Sequence, residues 1–340
     1  MNIQGAINQL LEGRNLSFTE MTDVMRSIMT GESTDAQIGG FLVALRMKGE
    51  TVDEIAAAAS VMRELSAKVP VQAAKTVDTC GTGGDGSSLF NVSTASAFIV
   101  AAAGGKVAKH GNRSVTSTSG SADVLEAAGV NLDLTPEQVG RAVDEIGVGF
   151  MFAVKHHGAM KHAIGPRKEL GVRTIFNLLG PLTNPAGSEH QVMGVYDKKW
   201  LVPVAEVLQK LGSKHVLIVH AEDGLDEFSI ASTTYVAELK DGTVTSYEVT
   251  PEQFGLERAP LDSMVIASAE QSLALIKEAM SGIDSPASQM LALNAGAALY
   301  AADVASSLEN GIKLAQDVMA SGQALEKFKE FVEYTQMAAV

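Results

Sequence analysis

The chain has 340 residues and a formal net charge of −14, with 46% hydrophobic, 19% charged and 5% aromatic residues and one cysteine. Two domains is the natural expectation for that length. A single cysteine, Cys80, excludes an internal disulfide framework, no run approaches the ~20 apolar residues of a membrane span, and the acidic balance argues against broad nucleic-acid binding, which needs an excess of Lys and Arg.

The start, MNIQGAINQLLEGRN, has no basic patch followed by a long apolar run, so it does not read as a signal peptide, and a cytoplasmic location is expected. Residues 1 to about 70 predict helices only. Ser17 and Glu20 fit a capping box ahead of Met21, Val24, Met25, Ile28 and Met29 at helical spacing, with Gly31 placed to end that helix. Thr34 starts a second helix carrying Ile38, Phe41, Leu42 and Leu45. A capping box of Thr51 and Glu54 starts a third with Ile55, Ala59, Met62 and Leu65. The many Met and Ala residues here read as packing.

From residue 75 short apolar strands alternate with helices. Strands are expected at 76–79, 106–109, 147–152, 191–196 and 215–220, and helices at 93–103, 121–128 and 201–211. That alternation predicts an α/β domain with a largely parallel sheet. Residues 235–239 and 244–249, joined through Asp241 and Gly242, predict an edge hairpin. Beyond about Glu270 the chain is again helical.

Three loops carry chemistry. Gly81–Gly86 (GTGGDG) follows a strand and precedes a helix that Ser93 is placed to cap, a setting in which backbone N–H groups and a helix N-terminus hold phosphate. Gly81, Gly83 and Gly86 also fit G-x-G-x-x-G, but the dinucleotide reading needs an acid ~20 positions on. No Asp or Glu occurs from Gly86 to Ala122, so a dehydrogenase is rejected. That acid-free stretch holds Lys106, Lys109, His110 and Arg113, which favours an anion site. The second loop, from Lys109 through the hydroxyl-rich run 115–121, offers a point charge and a mobile cover, and Ser121 is also placed to cap a helix. The third holds Asp226 and Glu227, just past the C-terminal end of a buried-type strand, where adjacent carboxylates suit Mg²⁺. Cys80 reads as a small buried residue, His156 and His157 as surface or helix-end groups, and Arg167 taken alone as an ordinary surface cation.

These residues together resemble the anthranilate phosphoribosyltransferase family over nearly the whole chain. The carrying motifs are Gly81–Gly86, Asn91–Thr94 (NVST), Lys109–Val115 (KHGNRSV), Ser119–Asp123 (SGSAD), Phe176–Pro185 (FNLLGPLTNP) and Asp226-Glu227. The resemblance implies a helical domain over residues 1–70, joined by a returning segment near 158–188, and an α/β domain over 71–340 that binds phosphoribosyl pyrophosphate, with the site in the cleft. It implies a homodimer through the helical domain, with no nucleic acid or membrane partner. By motif, Gly81, Gly84, Asp85, Asn91, Ser93, Thr94, Lys109 and Ser121 fall where the family binds phosphoribosyl pyrophosphate. Gly81, Asn112 and Arg167 fall where it holds anthranilate, and Ser93, Asp226 and Glu227 where it holds two Mg²⁺ ions. Leu89 stands where many members carry a small hydroxyl residue, and Thr118 where lysine is common.

The implied reaction is displacement of pyrophosphate at ribose C1 through an oxocarbenium-like state. Lys109, Asp226 and Glu227 would act by charge and position, and no general base is expected. Two rivals remain: a pyrimidine nucleoside phosphorylase, whose Lys-His-Ser pattern differs from Lys109–Asn112 here, and a non-catalytic nucleic-acid-binding relative, which the charge disfavours.

Overall fold

The computed structural model describes residues 1–114 and 118–338. Val115, Thr116 and Ser117, part of the expected cover and of the Lys109–Val115 motif, lie outside the described residues. Four helices open the chain: α1 (Ile3–Leu11), α2 (Phe18–Met29), α3 (Asp35–Lys48) and α4 (Val52–Leu65). The α/β part follows with β1 (Val77–Thr79), α5 (Val92–Ala102), β2 (Val107–Gly111), α6 (Ser121–Ala127), α7 (Pro136–Ile146), β3 (Val148–Phe152), α8 (Ala153–His156), α9 (Lys161–Leu170), α10 (Phe176–Leu179) and β4 (His190–Gly194). It continues through α11 (Leu201–Lys210), β5 (His215–Ala221), β6 (Thr234–Lys240), β7 (Thr243–Val249), α12 (Ala269–Ala279), α13 (Pro286–Ala301), α14 (Leu308–Ala320) and α15 (Gln323–Met337).

Ser17, Thr34 and Thr51 each close a capping box, with Glu20, Gln37 and Glu54 reaching back to the cap backbone. Glu54 does more than cap. Its fully buried carboxylate accepts from the Thr51 amide at 2.8 Å, the Leu16 amide at 2.9 Å and Lys48 Nζ at 2.8 Å. It therefore ties the α1–α2 loop and the end of α3 to the start of α4. Glu54→Ala is expected to cost about 3–5 kcal/mol, because it strands a buried ammonium and two amides. A denaturant midpoint within error of the parent protein would contradict this.

The seven strands run β3-β2-β1-β4-β5-β6-β7, parallel from β3 through β5, with the antiparallel pair β6 and β7 completing the edge. The edge hairpin falls where the sequence places it. Alternation along β5 sends Leu217 and Val219 into one core with α5, α13 and α15, and Val216 and Ile218 into another with α4 and α11. Because that second core is shared with the four N-terminal helices, the small helical unit and the sheet are packed together. The segment after β3 leaves the sheet, and α9 packs against α2 and α3.

Two helix caps differ from expectation. Helix α5 begins at Val92 with Asn91 as the cap residue, so Ser93 lies inside the first turn. The reason is tertiary: the Asn91 amide donates to Ser272 Oγ, and Phe90 N–H to Met264 O, which fixes the cap two residues earlier. Gly120 takes the cap of α6 in place of Ser121, its amide donating to the Asp123 carboxylate at 2.9 Å. No described helix is long and apolar enough to cross a membrane.

Candidate active site

The C-terminal ends of β1, β2, β4 and β5 converge on one region, where an open parallel sheet places its ligands. The glycine loop leaves β1 there and is fixed from three directions. Thr82 N–H donates to Gly194 O at the end of β4 (2.9 Å), Gly83 N–H donates to Asp226 Oδ2 (2.7 Å), and Arg173 donates to Gly84 O. Gly83, Gly84 and Gly86 all have φ between +63° and +80°, the left-handed backbone that presents successive amides to an anion. Asp85 turns back on the loop and accepts from Ser87 Oγ at 2.8 Å.

The acidic pair faces this loop. A Cβ on Gly81 would lie 2.6 Å from Asp226 Oδ2, so any other residue there would push the Asp226 carboxylate aside. Asp226 and Glu227 are recessed between the loops. Burial pushes the Asp226 carboxyl well above its ordinary range, with the Asp85 charge as the next cause. Burial, then the Asp226 charge, raises Glu227 to about 8, while Lys109 and the Ser93 amide pull it down. Recessed carboxylates that repel one another are costly unless a cation joins them. An all-oxygen set of this kind fits a hard divalent ion.

Lys109, on β2, is buried. Its ammonium donates to Thr79 O and stands 3.4 Å from Ser93 Oγ, on the first turn of α5. Asp78 sits beneath it, fully buried, accepting from the His110 amide (3.0 Å) and from Asn184 Nδ2 (2.7 Å), and burial raises it to about 6. Thr94 is buried, and its Oγ1 has no hydrogen-bond partner among the described residues.

The remaining candidates sit around this centre. Asn91 accepts from Ser272 Oγ at 2.7 Å and donates to Ser119 O at 3.0 Å, joining the glycine loop's exit to the second loop. Thr118 Oγ1 donates to Ser88 Oγ at 3.1 Å, and Leu89 forms a β-bridge with Val265, so both departures from the family pattern fall at this junction. Ser121 Oγ donates to Asn112 O at 3.2 Å. Arg167 is on α9, away from these bonds. Its guanidinium is 5.0 Å from the Phe176 ring centroid and makes no ion pair among the described residues, and burial lowers its pKa.

Several contributors were not read from the sequence. Arg173 lies 4.3 Å from the Tyr196 ring centroid, and its backbone oxygen accepts from Arg46 on α3, so it straps the glycine loop to the helical unit. Asp78 and Gly194 lacked any local signal, and Asn184 fell inside the Phe176–Pro185 motif without a role of its own. His156 and His157 are buried, against the surface reading. His156 does hold a helix end, with Nδ1 bonded to Ala67 O at 3.0 Å. His157 Nε2 is 3.2 Å from His110 Nε2, and burial takes His157 down to about 4. Cys80 is only part-buried by area, yet its thiol is pushed up, first by desolvation and then by Asp78, so it stays protonated and is no nucleophile.

The sequence matches the glycosyl transferase family helical bundle domain over residues 4–66 and the glycosyl transferase family a/b domain over 73–325. It is 61% identical to the anthranilate phosphoribosyltransferase of Saccharophagus degradans, covering 98% of this chain and 99% of that protein. Among solved structures, it is similar to the anthranilate phosphoribosyltransferase of Thermus thermophilus, at TM-score 0.92 and 44% identity over 97% of this chain and 99% of that one. It is also similar to the Saccharomyces cerevisiae enzyme in complex with PRPP and Mg, at TM-score 0.89 and 27% identity over 98% of each chain.

Proposed function

Because the chain belongs to the anthranilate phosphoribosyltransferase family, we propose that its cleft works by holding charge and position around ribose C1. The enzyme transfers the phosphoribosyl group of phosphoribosyl pyrophosphate to the amine of anthranilate, releasing pyrophosphate, in tryptophan biosynthesis.

The observation that carries the site reading is the facing pair of loops, one of left-handed glycines and one of recessed carboxylates joined to it through the Gly83 amide, with Lys109 beside them. The amides around Gly81 and Gly84, the first turn of α5 with Ser93 and Thr94, Asn91 and Ser121 would hold the phosphates and ribose. Asp226 and Glu227, with Ser93, would hold two Mg²⁺ ions, and Asp85 adds charge beside them. Bound Mg²⁺ supplies Lewis-acid neutralisation of the leaving pyrophosphate. Lys109 stays fixed by Thr79 O and offers its charge without moving. Arg167, half-buried and without an ion-pair partner among the described residues, suits the anthranilate carboxylate, and Asn112 would share that substrate. An aryl amine is unprotonated at neutral pH, so positioning at C1 replaces a general base.

The same reading makes the protein cytoplasmic and a homodimer through the helical unit, whose exposed Leu11, Phe18, Val43 and Met47 offer apolar surface. Loss of anthranilate fluorescence should require enzyme, phosphoribosyl pyrophosphate and Mg²⁺ together. Arg167→Ala should raise KM for anthranilate about 10–100-fold with little change in kcat, as expected when a charge-assisted contact to the ground state is lost. An unchanged KM would remove Arg167 from the acceptor site.

A further inference from the structure

A second group of ligand-type side chains sits at the other end of the sheet. His190 opens β4 and His215 opens β5, and the two are register partners on adjacent parallel strands. They therefore point to the same face, the one covered by α13. Asp303 follows α13 and comes over them, with φ +56°. Since β5 is seven residues long, this end lies roughly 20 Å from the acidic pair beyond its other end.

We propose that His190, His215 and Asp303 bind a transition-metal ion of the Zn²⁺ class. One ligand atom from each lies within 4.8 Å of the other two. The partners of the ring nitrogens differ between the two histidines. His190 Nδ1 faces the Ala301 carbonyl at 2.8 Å, an acceptor only, so Nδ1 carries the proton and Nε2 keeps a bare lone pair. Both His215 nitrogens face carboxylates, Nε2 that of Glu238 at 3.1 Å and Nδ1 that of Asp303 at 2.9 Å, so a metal on Nδ1 takes the place of the proton shared with Asp303 while Nε2 keeps Glu238. A histidine whose far nitrogen donates to a carbonyl or a carboxylate is the usual outer support of a metal-bound imidazole. Both rings are at most 4% exposed, whereas the Asp303 side chain is 35% exposed and offers the way in.

Without metal, His215 Nδ1 and Asp303 Oδ1 form a hydrogen bond at 2.9 Å. Tetrahedral coordination with bonds near 2.0–2.1 Å needs about 3.3 Å between them. A loop residue can supply that small opening. The charges around the group are mixed. Glu238 adds a negative charge and itself accepts from Tyr300 OH at 2.7 Å. Lys75 holds Asp303 Oδ2 at 2.8 Å, and Lys240 reaches Tyr300 OH at 3.2 Å, so both ammonium groups oppose a cation. The ligand set of two imidazoles and one carboxylate selects a borderline ion over Mg²⁺, which takes oxygen. Occupancy would pin the α13–α14 connection to the start of β4 and β5.

Co²⁺ is the probe, because its visible absorption reports tetrahedral nitrogen–oxygen ligation. Chelator-stripped enzyme in excess Mg²⁺ should take up one Co²⁺ per chain, with Zn²⁺ displacing it and the melting temperature rising with occupancy. His190→Ala should abolish the band. Asp303→Asn should do the same while keeping the fold, since Asn accepts a positive φ, and this covers the case in which the buried His190 variant misfolds. Glu238→Gln should weaken binding about 10–100-fold, and Lys75→Met should tighten it. The Asp226→Ala/Glu227→Ala enzyme should bind Co²⁺ as the parent does. Absence of the band in the parent, its survival in Asp303→Asn, or its loss only in the Asp226→Ala/Glu227→Ala enzyme would overturn the proposal.

Discussion

Asp226→Ala/Glu227→Ala is expected to lower turnover at least about 10³-fold while leaving the protein folded, the scale seen when transition-state charge stabilisation is removed. The two halves of that expectation have one cause. These carboxylates are recessed and raised in pKa, Asp226 by burial and then Asp85, Glu227 by burial and then Asp226, with the Gly83 amide offsetting the first and Lys109 and the Ser93 amide the second. Removing a repelling buried pair relieves the apo protein, so its melting temperature in EDTA should equal or exceed the parent's. Addition of Mg²⁺ should stabilise the parent and not the variant. Asp226 also holds the glycine loop through Gly83, so truncation alone would confuse loop loosening with charge loss. Asp226→Asn/Glu227→Gln separates them, because the amide oxygen still accepts from Gly83. It should be as inactive as the double alanine enzyme. Near-parent turnover in either variant would remove the metal assignment, and near-parent turnover only in the amide pair would reduce Asp226 to a loop anchor.

Local rules made much of this molecule legible. Ser17, Thr34 and Thr51 announce helix starts because a cap is decided within four residues. The run from His215 to His220 reads as a buried strand because it packs on both faces. The glycine loop and the acidic pair are short motifs at strand ends and Lys109 stands out in an acid-free stretch, while their meeting in one cleft was implied by the resemblance. What stayed hidden depends on partners far along the chain. Asp78 is 106 positions from Asn184 and 32 from the His110 amide it binds, so nothing near Asp78 marks it. Arg173 resembles any exposed arginine until Gly84, Tyr196 and Arg46 surround it. The cap of α5 moved for the same reason, since Ser272 captures the Asn91 amide from 181 positions away, whereas α6 starts at Ser121 as expected and only its cap passes to Gly120, through the local contact with Asp123.

Gly194→Ala is expected to cost about 10²-fold in kcat/KM, although Gly194 bears no side chain to touch a substrate. Gly194 ends β4, and its carbonyl accepts from the Thr82 amide of the glycine loop. On its other side it lies directly against Asp226. An added Cβ would overlap the Asp226 carbonyl group and approach Asp226 Cβ to 2.8 Å. Backbone cannot yield there as the end of a flexible side chain could, so the acidic loop must move by about 1 Å or more, and a misplacement of that size costs on the order of 10²-fold. Since the glycine loop is bonded to the same residue, the shift changes the gap between the phosphate-holding amides and the metal-holding carboxylates. The loss should therefore fall on kcat, with a weaker Mg²⁺-induced rise in melting temperature and little change in KM for anthranilate, because Arg167 is on a separate segment. Gly39→Ala is the matched control: it lies in α3, with nothing within 4 Å of an added Cβ, and should leave kinetics unchanged. A folded Gly194→Ala enzyme with parent kcat and parent Mg²⁺ response would show that the spacing of the two loops does not set the rate.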